Sequence, residues 1–162
     1  MNKIFLGGTC ADTTWRDELI ELLKPYQRYQ DIDWFNPVVE DWTPDCQAIE
    51  EDEKNNKCNI HLYLITPEMQ GVYSIAEIIN SCWQAIVYGT TVNKVMFYIY
   101  DPEHKFDEKQ IKSLNATIRL CKDIGDKRFT GKQINNLIEI IDDLYILDIF
   151  TNANTAAPKD TI

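Results

Sequence analysis

Three short runs of mostly apolar residues, at positions 4–6, 60–66 and 94–100, restrict the possible folds of this chain most strongly. None of them alternates apolar with polar residues, as a strand with one solvated face would. Each run ends at a glycine pair, a proline or an aspartate-proline pair, which are common turn formers. The runs therefore predict buried strands of a parallel sheet that is covered on both faces.

Apolar residues at helical spacing lie between and after these runs. The four patterns cover residues 15–26, 75–86, 111–121 and 134–145. Each has one apolar stripe, which is typical of a helix that packs against a sheet. The acidic segment 45–57 lacks such a stripe, so we expect it to form an exposed helix.

Two weaker strands are predicted at residues 33–36, which Pro37 ends, and at residues 127–130. Alternating strands and helices predict a single-domain α/β fold, with a doubly wound parallel sheet of four to five strands in flavodoxin-like order and helices on both faces. We expect this domain to span residues 1–150. The polar residues 151–162 are expected to form a flexible tail.

The expected topology also predicts where a ligand would bind. In doubly wound sheets, ligands bind outside the carboxyl ends of the strands, where the winding reverses. The loops that follow the first three strands, at residues 7–14, 36–42 and 66–74, should meet at that edge. We therefore expect the functional site to lie among these loops.

The charge of the chain narrows the choice of partners. It carries 16 basic and 26 acidic residues, for a formal net charge of −10 at pH 7. Long nucleic acids and anionic membranes attract the opposite sign, so neither is an expected partner. A small anionic ligand remains possible, because a helix N-terminus can hold a phosphate. No run approaches the ~20 apolar residues of a membrane span, and the N-terminus does not resemble a signal peptide.

The five cysteines favour a reducing compartment. Their number is odd, no pair has the C-x-x-C spacing, and the chain has only two histidines. This pattern argues against both a disulfide framework and a zinc site. We therefore expect a cytoplasmic protein that needs no metal or other cofactor.

Residues 71–77, with the sequence GVYSIAE, place a carboxylate in the first turn of the helix that follows the clearest strand. Ser74 and Glu77 have the S-x-x-E spacing of a capping box, in which each side chain bonds to the other residue's backbone N–H. The alternative is that Glu77 projects into the ligand site as a reactive group. A glutamate folded back onto its own cap would be poorly placed to attack a ligand.

Three segments carry a resemblance to a known family: Leu6-Gly7-Gly8, Phe35-Asn36-Pro37, and the run of residues 65–77. Together they resemble the nucleoside 2-deoxyribosyltransferase family, and more closely its small bacterial and phage-type branch. The similarity extends in order over roughly residues 3–100. It implies that Glu77 occupies the place of the family's nucleophilic glutamate.

The resemblance implies cleavage or transfer of the N-glycosidic bond of a small 2′-deoxynucleoside or deoxynucleotide. Such a bond breaks through an oxocarbenium-like transition state, so a carboxylate beneath C1′ stabilises the developing charge and can then bond to it. A second base or water would release the sugar, and the sequence does not separate a deoxyribosyltransferase from an N-glycosidase. Because family members usually assemble, a homo-oligomer is also implied.

The candidate substrate-binding residues are Gly7, Gly8, Thr9, Asp12, Asn36, Tyr73 and Ser74. By resemblance, the first loop holds the base and the sugar, with its two glycines allowing close approach. Asp12 is the nearest candidate acid, but it is equally typical of a helix N-cap. Asn36 is either a ligand-binding amide or a turn former. Tyr73 and Ser74 flank the nucleophile and would orient it.

Other polar and aromatic residues have weaker functional interpretations. Thr9 and Arg16 would suit a substrate phosphate, although Arg16 could equally lie at the surface. Trp42, in the second loop, is a candidate for stacking on a base or covering the site. His61 is interpreted as a packed side chain within its strand, and the acidic cluster 50–53 as a solvated helix face.

Asn59 stands where the family commonly has an aspartate, at the start of the third strand. An amide can orient a group but cannot take a proton, so acid–base help from this position is in doubt. The difference supports a rival function, a nucleotide-binding or sequestering module without turnover. A third possibility is hydrolysis of an NAD-type dinucleotide, which would use the same glutamate-assisted cleavage.

Overall fold

A computed structural model describes residues 1–150 of the chain. Its centre is a sheet of five parallel strands in the order β2-β1-β3-β4-β5. The strands are β1 (Asn2–Gly8), β2 (Ile32–Phe35), β3 (Ile60–Ile65), β4 (Lys94–Tyr100) and β5 (Phe129–Ile134). The predicted α/β class, parallel sheet and flavodoxin-like order are confirmed.

Within residues 1–150, five α-helices connect and follow the strands. They are α1 (Trp15–Gln27), α2 (Pro44–Asp52), α3 (Tyr73–Ile86), α4 (Glu108–Gly125) and α5 (Ile138–Ile146). A π-helix (Glu53–Lys57) continues α2, and a short 3₁₀ turn (Asp126–Arg128) precedes β5. Turns of π-helix are uncommon and occur often at functional sites.

Two apolar layers hold the helices against the sheet, one on each face. Because side chains alternate along a strand, Ile4 and Leu62 pack with α1 and α5, whereas Phe5 and Tyr63 pack with α3 and α4. All residues of β3 are buried. This central position explains why residues 60–66 form an apolar run that lacks the alternation of a half-exposed strand.

Two local expectations are corrected by the structure. The fifth strand was expected at residues 127–130 but begins at Phe129 and continues to Ile134. This strand lies at the sheet edge and contains a glycine, a lysine and a glutamine, so it has no apolar run that marks its length. Segment 45–57 was expected to be one exposed helix, but it contains the change from α2 to the π-helix and buries Lys54.

The remaining broad expectations concern cysteines, metals, membranes and the tail. All five cysteines are free thiols, and three of them are buried. Within residues 1–150, no three His, Cys, Asp or Glu side chains are grouped to hold a metal ion. No helix in the same range is both long and apolar enough to cross a bilayer. The predicted tail at 151–162 lies outside the described residues.

Candidate functional site

Glu77 lies near the start of α3, beyond the carboxyl end of β3. Its Oε1 accepts a hydrogen bond from Lys54 Nζ at 2.6 Å, and the two side chains are only 13% and 10% exposed. The N-cap of α3 is Val72, which makes no side-chain cap hydrogen bond, and Ser74 lies inside the helix. The capping-box interpretation is therefore wrong, and the carboxylate is not folded back onto its own turn.

Beside Glu77 is an open cleft of about 370 Å³ at the carboxyl edge of the sheet. Its walls come from the carboxyl end of β1 and the loop after it, the loop after β2, and the helices α1, α2 and α3. The lining residues are Phe5, Gly7, Gly8, Cys10, Arg16, Pro37, Val38, Val39, Trp42, Glu50, Tyr73, Ser74 and Glu77. Four of the seven candidate substrate-binding residues thus share one cleft with Glu77.

Both glycines of the first loop are required by the sheet itself. A Cβ at Gly7 would lie 2.4 Å from the ring of Tyr63, and one at Gly8 would lie 2.1 Å from the carbonyl oxygen of Leu64. Gly8 also has a φ of +116°, which L-residues rarely adopt. The lack of side chains here therefore serves strand packing as well as leaving space in the cleft.

Thr9 and Arg16 hold the first loop in place. The Thr9 hydroxyl accepts a hydrogen bond from the backbone N–H of Thr66. The Arg16 guanidinium donates to the carbonyl oxygens of Leu6, Gly8 and Thr9 at 2.9, 3.1 and 2.7 Å. Burial lowers the pKa of Arg16. The side chain is buried in loop contacts, so the surface interpretation of Arg16 is wrong.

Asp12 and Asn36 do not line the cleft that contains Glu77. Asp12 is exposed with a φ of +49° and lines a separate depression of about 220 Å³. It is not a helix N-cap either, because that position belongs to Thr14. Asn36 Oδ1 accepts a hydrogen bond from the backbone N–H of Val38 at 3.0 Å, as in an Asx turn. Thr9 likewise lies outside the cleft and lines a third depression of about 200 Å³.

A buried chain of hydrogen bonds supports the Lys54 backbone. His61 is fully buried, and burial lowers its pKa to about 4, so its ring is neutral near pH 7. His61 Nε2 lies 2.7 Å from the Lys54 carbonyl oxygen, which requires this nitrogen to donate. Nδ1 then accepts from the Ser81 hydroxyl at 2.8 Å. His61 is thus a packed side chain, as its sequence context indicated.

Two cleft residues were missed by sequence reasoning. Glu50 belongs to the acidic cluster 50–53, which was interpreted as a solvated helix face, yet it lines the cleft. Lys54 belongs to segment 45–57, which was expected to be an exposed helix, yet it pairs with Glu77. Burial and the charge of Glu77 raise the pKa of Glu50. The available signal was their four-residue spacing, which places both side chains on the same side of a helical segment.

Asn59 is remote from this cleft. It precedes β3 and so lies at the amino edge of the sheet, opposite the edge that carries the cleft. Its Oδ1 accepts from the backbone N–H of Lys3, and its Nδ2 donates to Asn2 Oδ1, both at 2.8 Å. The amide therefore joins the starts of β1 and β3, and its identity does not alter the groups beside Glu77.

The cleft combines a charged floor with an apolar rim. Trp42 is 61% exposed at the rim, where Val38 and Val39 are also exposed. Only one oxygen of Glu77 accepts a hydrogen bond from residues 1–150, which leaves Oε2 available to a ligand. Such a site can bind a flat, mostly apolar ring at its rim and present a carboxylate to the atom below.

Comparison with known proteins found one family. A family model described as "Nucleoside 2-deoxyribosyltransferase like" matches residues 1–96, which is more than half of the chain. The matched segment includes every residue that lines the cleft. No curated protein and no solved structure matches the chain.

Proposed function

The chain belongs to the nucleoside 2-deoxyribosyltransferase-like family, and from this premise we propose that it cleaves or transfers the N-glycosidic bond of a small 2′-deoxynucleoside. Glu77 is the proposed nucleophile. The observation that carries the proposal is its carboxylate, which lines an open cleft and has one oxygen that accepts no hydrogen bond from residues 1–150.

The proposed reaction has two steps at C1′ of the sugar. As the bond to the base breaks, Glu77 Oε2 approaches C1′, stabilises the oxocarbenium-like transition state and forms a glycosyl ester. A second base or a water molecule then attacks C1′ and releases Glu77. Lys54 holds Oε1, so the carboxylate is oriented by a contact that does not occupy the attacking oxygen.

The dimensions and polarity of the cleft suit a nucleoside. Its volume of about 370 Å³ falls within the roughly 300–1,000 Å³ typical of small-molecule sites. The exposed ring of Trp42 and the neighbouring valines offer an apolar surface to a base. The Arg16 guanidinium donates to backbone carbonyls and Lys54 to Glu77. Because these contacts engage both cationic side chains, neither is readily available to a phosphate, which favours a nucleoside over a nucleotide.

Chromatography of incubated substrates tests the activity. The protein is mixed with 2′-deoxynucleosides or their 5′-monophosphates, with and without a second free base. Base released without an acceptor identifies a hydrolase, whereas exchange that requires the acceptor identifies a transferase. The monophosphate arm tests the preference for unphosphorylated substrates.

Replacing the nucleophile tests the assignment of Glu77. We expect Glu77→Gln to reduce turnover by ~10³-fold or more, because the amide cannot form the glycosyl ester. Glu68→Gln is the matched control, since Glu68 lies at the same sheet edge but does not line this cleft. Intact-protein mass spectrometry should detect a deoxyribosyl adduct on the wild type only. Full activity of Glu77→Gln would exclude Glu77 as the nucleophile.

A binding module without turnover is the second candidate function. The observation in its favour is the Lys54–Glu77 salt bridge, which engages the carboxylate in a mostly buried pair. Calorimetric binding of deoxynucleosides, with no released base after prolonged incubation, would support this alternative. No feature of the cleft favours the third possibility, cleavage of an NAD-type dinucleotide.

A further inference from the structure

The depression that Asp12 lines is separate from the cleft that contains Glu77. It has a volume of about 220 Å³ and shares no lining residue with the cleft. Its walls come from the loop after β1, the start of α1, the loop after β3, and the end of β4 with the loop that follows. This acidic depression is lined by five carboxylate residues, which are Asp12, Glu18, Glu68, Asp101 and Glu103.

Carboxylates outnumber cations in the acidic depression. Among its described lining residues only Lys105 is basic, and its ammonium pairs with Glu103 at 2.7 Å. Asp101 accepts hydrogen bonds from two backbone N–H groups of its own loop. In the described part of the chain, Asp12 and Glu18 form no salt bridge. A cation would therefore be attracted to this depression, whereas an anion would be repelled.

Helix α1 accounts for only part of this charge. The start of a helix favours acidic residues, because its backbone N–H groups carry about half a positive charge. Glu18 lies in that first turn beside Asp17, which does not line the depression. Asp12 precedes the helix, is exposed and is not its N-cap. The helix end therefore explains the position of Glu18 but gives no reason for a second carboxylate opposite it.

A buried hydroxyl provides a second, independent observation. Thr66 follows β3, is 4% exposed and lines the acidic depression. Its backbone N–H donates to the Thr9 hydroxyl, but within residues 1–150 its own Oγ1 has no hydrogen-bond partner. Buried polar groups are nearly always bonded, so such an exception needs an explanation. A ligand that donates to Oγ1 would provide one.

The direction of the Thr66 side chain agrees with this role. At the end of β3, Leu64 packs in the apolar layer of α1 and α5, and Ile65 packs in the layer of α3 and α4. Thr66 is the next residue, so alternation along the chain directs its side chain to the α1 side of the sheet. The acidic depression lies on that side, since the start of α1 forms one of its walls.

The size and lining of the acidic depression favour a small organic cation. Within residues 1–150, no three His, Cys, Asp or Glu side chains are grouped to hold a metal ion. A volume of about 220 Å³ is below the roughly 300 Å³ at which typical sites for larger ligands begin. Carboxylates on separate loops suit a linear molecule with separated ammonium groups. The half-buried ring of Tyr100 and two prolines offer apolar surface to the methylene groups between them.

We propose that the acidic depression is a second ligand site, which binds a short linear aliphatic diamine or polyamine. One ammonium group donates to Thr66 Oγ1, and the carboxylates of Asp12 and Glu18 neutralise the charge of the ligand. The ring of Tyr100 contacts its methylene groups. Because none of these residues lines the cleft of Glu77, the site is independent of the proposed reaction.

Calorimetric titration with putrescine (1,4-diaminobutane) tests the site. We expect saturable binding of one molecule per chain, which weakens as salt rises because exposed carboxylates are screened. 1,4-Butanediol has the same carbon chain without charge and should not bind. Magnesium chloride at equal charge concentration should not displace putrescine. If magnesium displaces it, the negative charge of the chain alone attracts cations, and the proposed site is wrong.

Two variants separate the site from the overall charge. Glu18→Gln and Asp17→Asn each remove one carboxylate from the first turn of α1, but only Glu18 lines the depression. Glu18→Gln should raise the Kd for putrescine by ~2–5-fold, as expected for an exposed ion pair. Asp17→Asn should leave the Kd unchanged. Equal changes in the two variants would indicate general attraction by negative charge and would overturn the proposal.

Removing the Thr66 hydroxyl gives the strongest test. Thr66→Val keeps the shape of the side chain, and because Oγ1 has no partner, the stability of the protein without ligand should not fall. The Kd for putrescine should rise by ~10-fold or more, since a hydrogen bond to an ammonium is lost. Thr66→Ser keeps the hydroxyl and should retain the wild-type affinity. Wild-type affinity in Thr66→Val would overturn the proposal.

A final control keeps this inference apart from the proposed function. Glu77→Gln should bind putrescine with the affinity of the wild type, and saturating 2′-deoxyinosine should not displace the diamine. A protein that is inactive on nucleosides would still bind putrescine, so failure of the proposed function leaves this inference standing. Displacement by the nucleoside would show that the two ligands share one site and would contradict the inference.

Discussion

His61 stabilises the segment that carries Lys54 without facing the cleft itself. It is fully buried between the Lys54 carbonyl oxygen and the Ser81 hydroxyl, and both of its ring nitrogens are bonded. The Ser81 oxygen also lies 2.8 Å from the Tyr63 hydroxyl. Because Lys54 pairs with Glu77, the position of the proposed nucleophile depends on a histidine in the core.

Protonation of His61 should weaken the fold in mild acid. Burial lowers its pKa from 6.5 to about 4, so the folded state binds fewer protons than the unfolded chain between these values. The stabilisation is present above pH 6.5 and is lost as pH falls towards 4, by up to about 3 kcal/mol. Urea unfolding at pH 7, 5.5 and 4.5 measures this loss.

Two asparagine variants isolate the contribution of His61 from that of the carboxylates. His61→Asn should show a smaller loss of unfolding free energy over this pH range than the wild type. His104→Asn should keep the wild-type loss, because His104 is exposed and asparagine tolerates its φ of +55°. Equal pH dependence in His61→Asn and the wild type would contradict the proposed cause.

At the scale of elements, α3 and α4 begin differently. The N-cap of α4, Asp107, accepts a hydrogen bond from the backbone N–H of Gln110 at 2.8 Å. The Gln110 side-chain oxygen in turn accepts one from the backbone N–H of Asp107. The α3 N-cap, Val72, has no side chain able to do this. Within residues 1–150, the start of α3 beside the candidate site therefore has no side-chain cap, and the backbone N–H of Ile75 bonds to the Val72 carbonyl oxygen instead.

Alanine substitution should reveal this difference between the helices. Asp107→Ala should lower the free energy of unfolding by about 1 kcal/mol, since it removes a helix cap. Ser74→Ala should change it by less than ~0.5 kcal/mol, because Ser74 is not a cap. Chemical denaturation of both variants is the measurement. A loss of ~1 kcal/mol in Ser74→Ala would restore the capping-box interpretation.

The same elements show what the sequence could predict. β3 and β4 were recognisable because central parallel strands bury both faces and so need apolar residues throughout. β5 was placed only partly, because an edge strand tolerates Lys132 and Gln133. The π-helix has no distinct sequence pattern, so the change that buries Lys54 could not be read from residues 45–57.

For the candidate site, the sequence predicted the loops better than the contacts. Glu77 and the glycine turn were identified through the family resemblance, since the local S-x-x-E spacing alone favoured a cap, and the structure has both lining one cleft. The partnership of Lys54 with Glu77 joins residues 23 positions apart, through side-chain reach that local spacing does not encode. The sequence could not separate Asp12 from the residues that line the cleft, because the first loop contributes to three separate depressions.

At the scale of the whole molecule, the five cysteine thiols differ in burial, and one of them lies at the cleft. Cys58, Cys82 and Cys121 are buried, whereas Cys10 is exposed and lines the cleft. Cys46, half-buried on α2, has a pKa lowered by hydrogen bonds with Thr43, which favours its reactive thiolate. The folded protein should therefore present two accessible thiols out of five.

Thiol labelling tests both points. A disulfide reagent should modify two cysteines in the folded protein and all five after denaturation. A deoxynucleoside that occupies the cleft should slow the modification of Cys10 but leave Cys46 unaffected, as peptide mass mapping would show. Labelling of Cys10 at an unchanged rate under saturating ligand would place the ligand elsewhere.

The Lys54–Glu77 salt bridge has a consequence for how long a sugar would stay attached. Under the proposed mechanism, esterification turns Glu77 neutral and leaves the ammonium of Lys54, which is 10% exposed, without its counterion. An unpaired charge in such a position is unfavourable, and the penalty falls on the covalent species alone. The lysine would thus destabilise the glycosyl ester relative to the free carboxylate. A long-lived covalent adduct is disfavoured, and Glu77 returns to its ionised form.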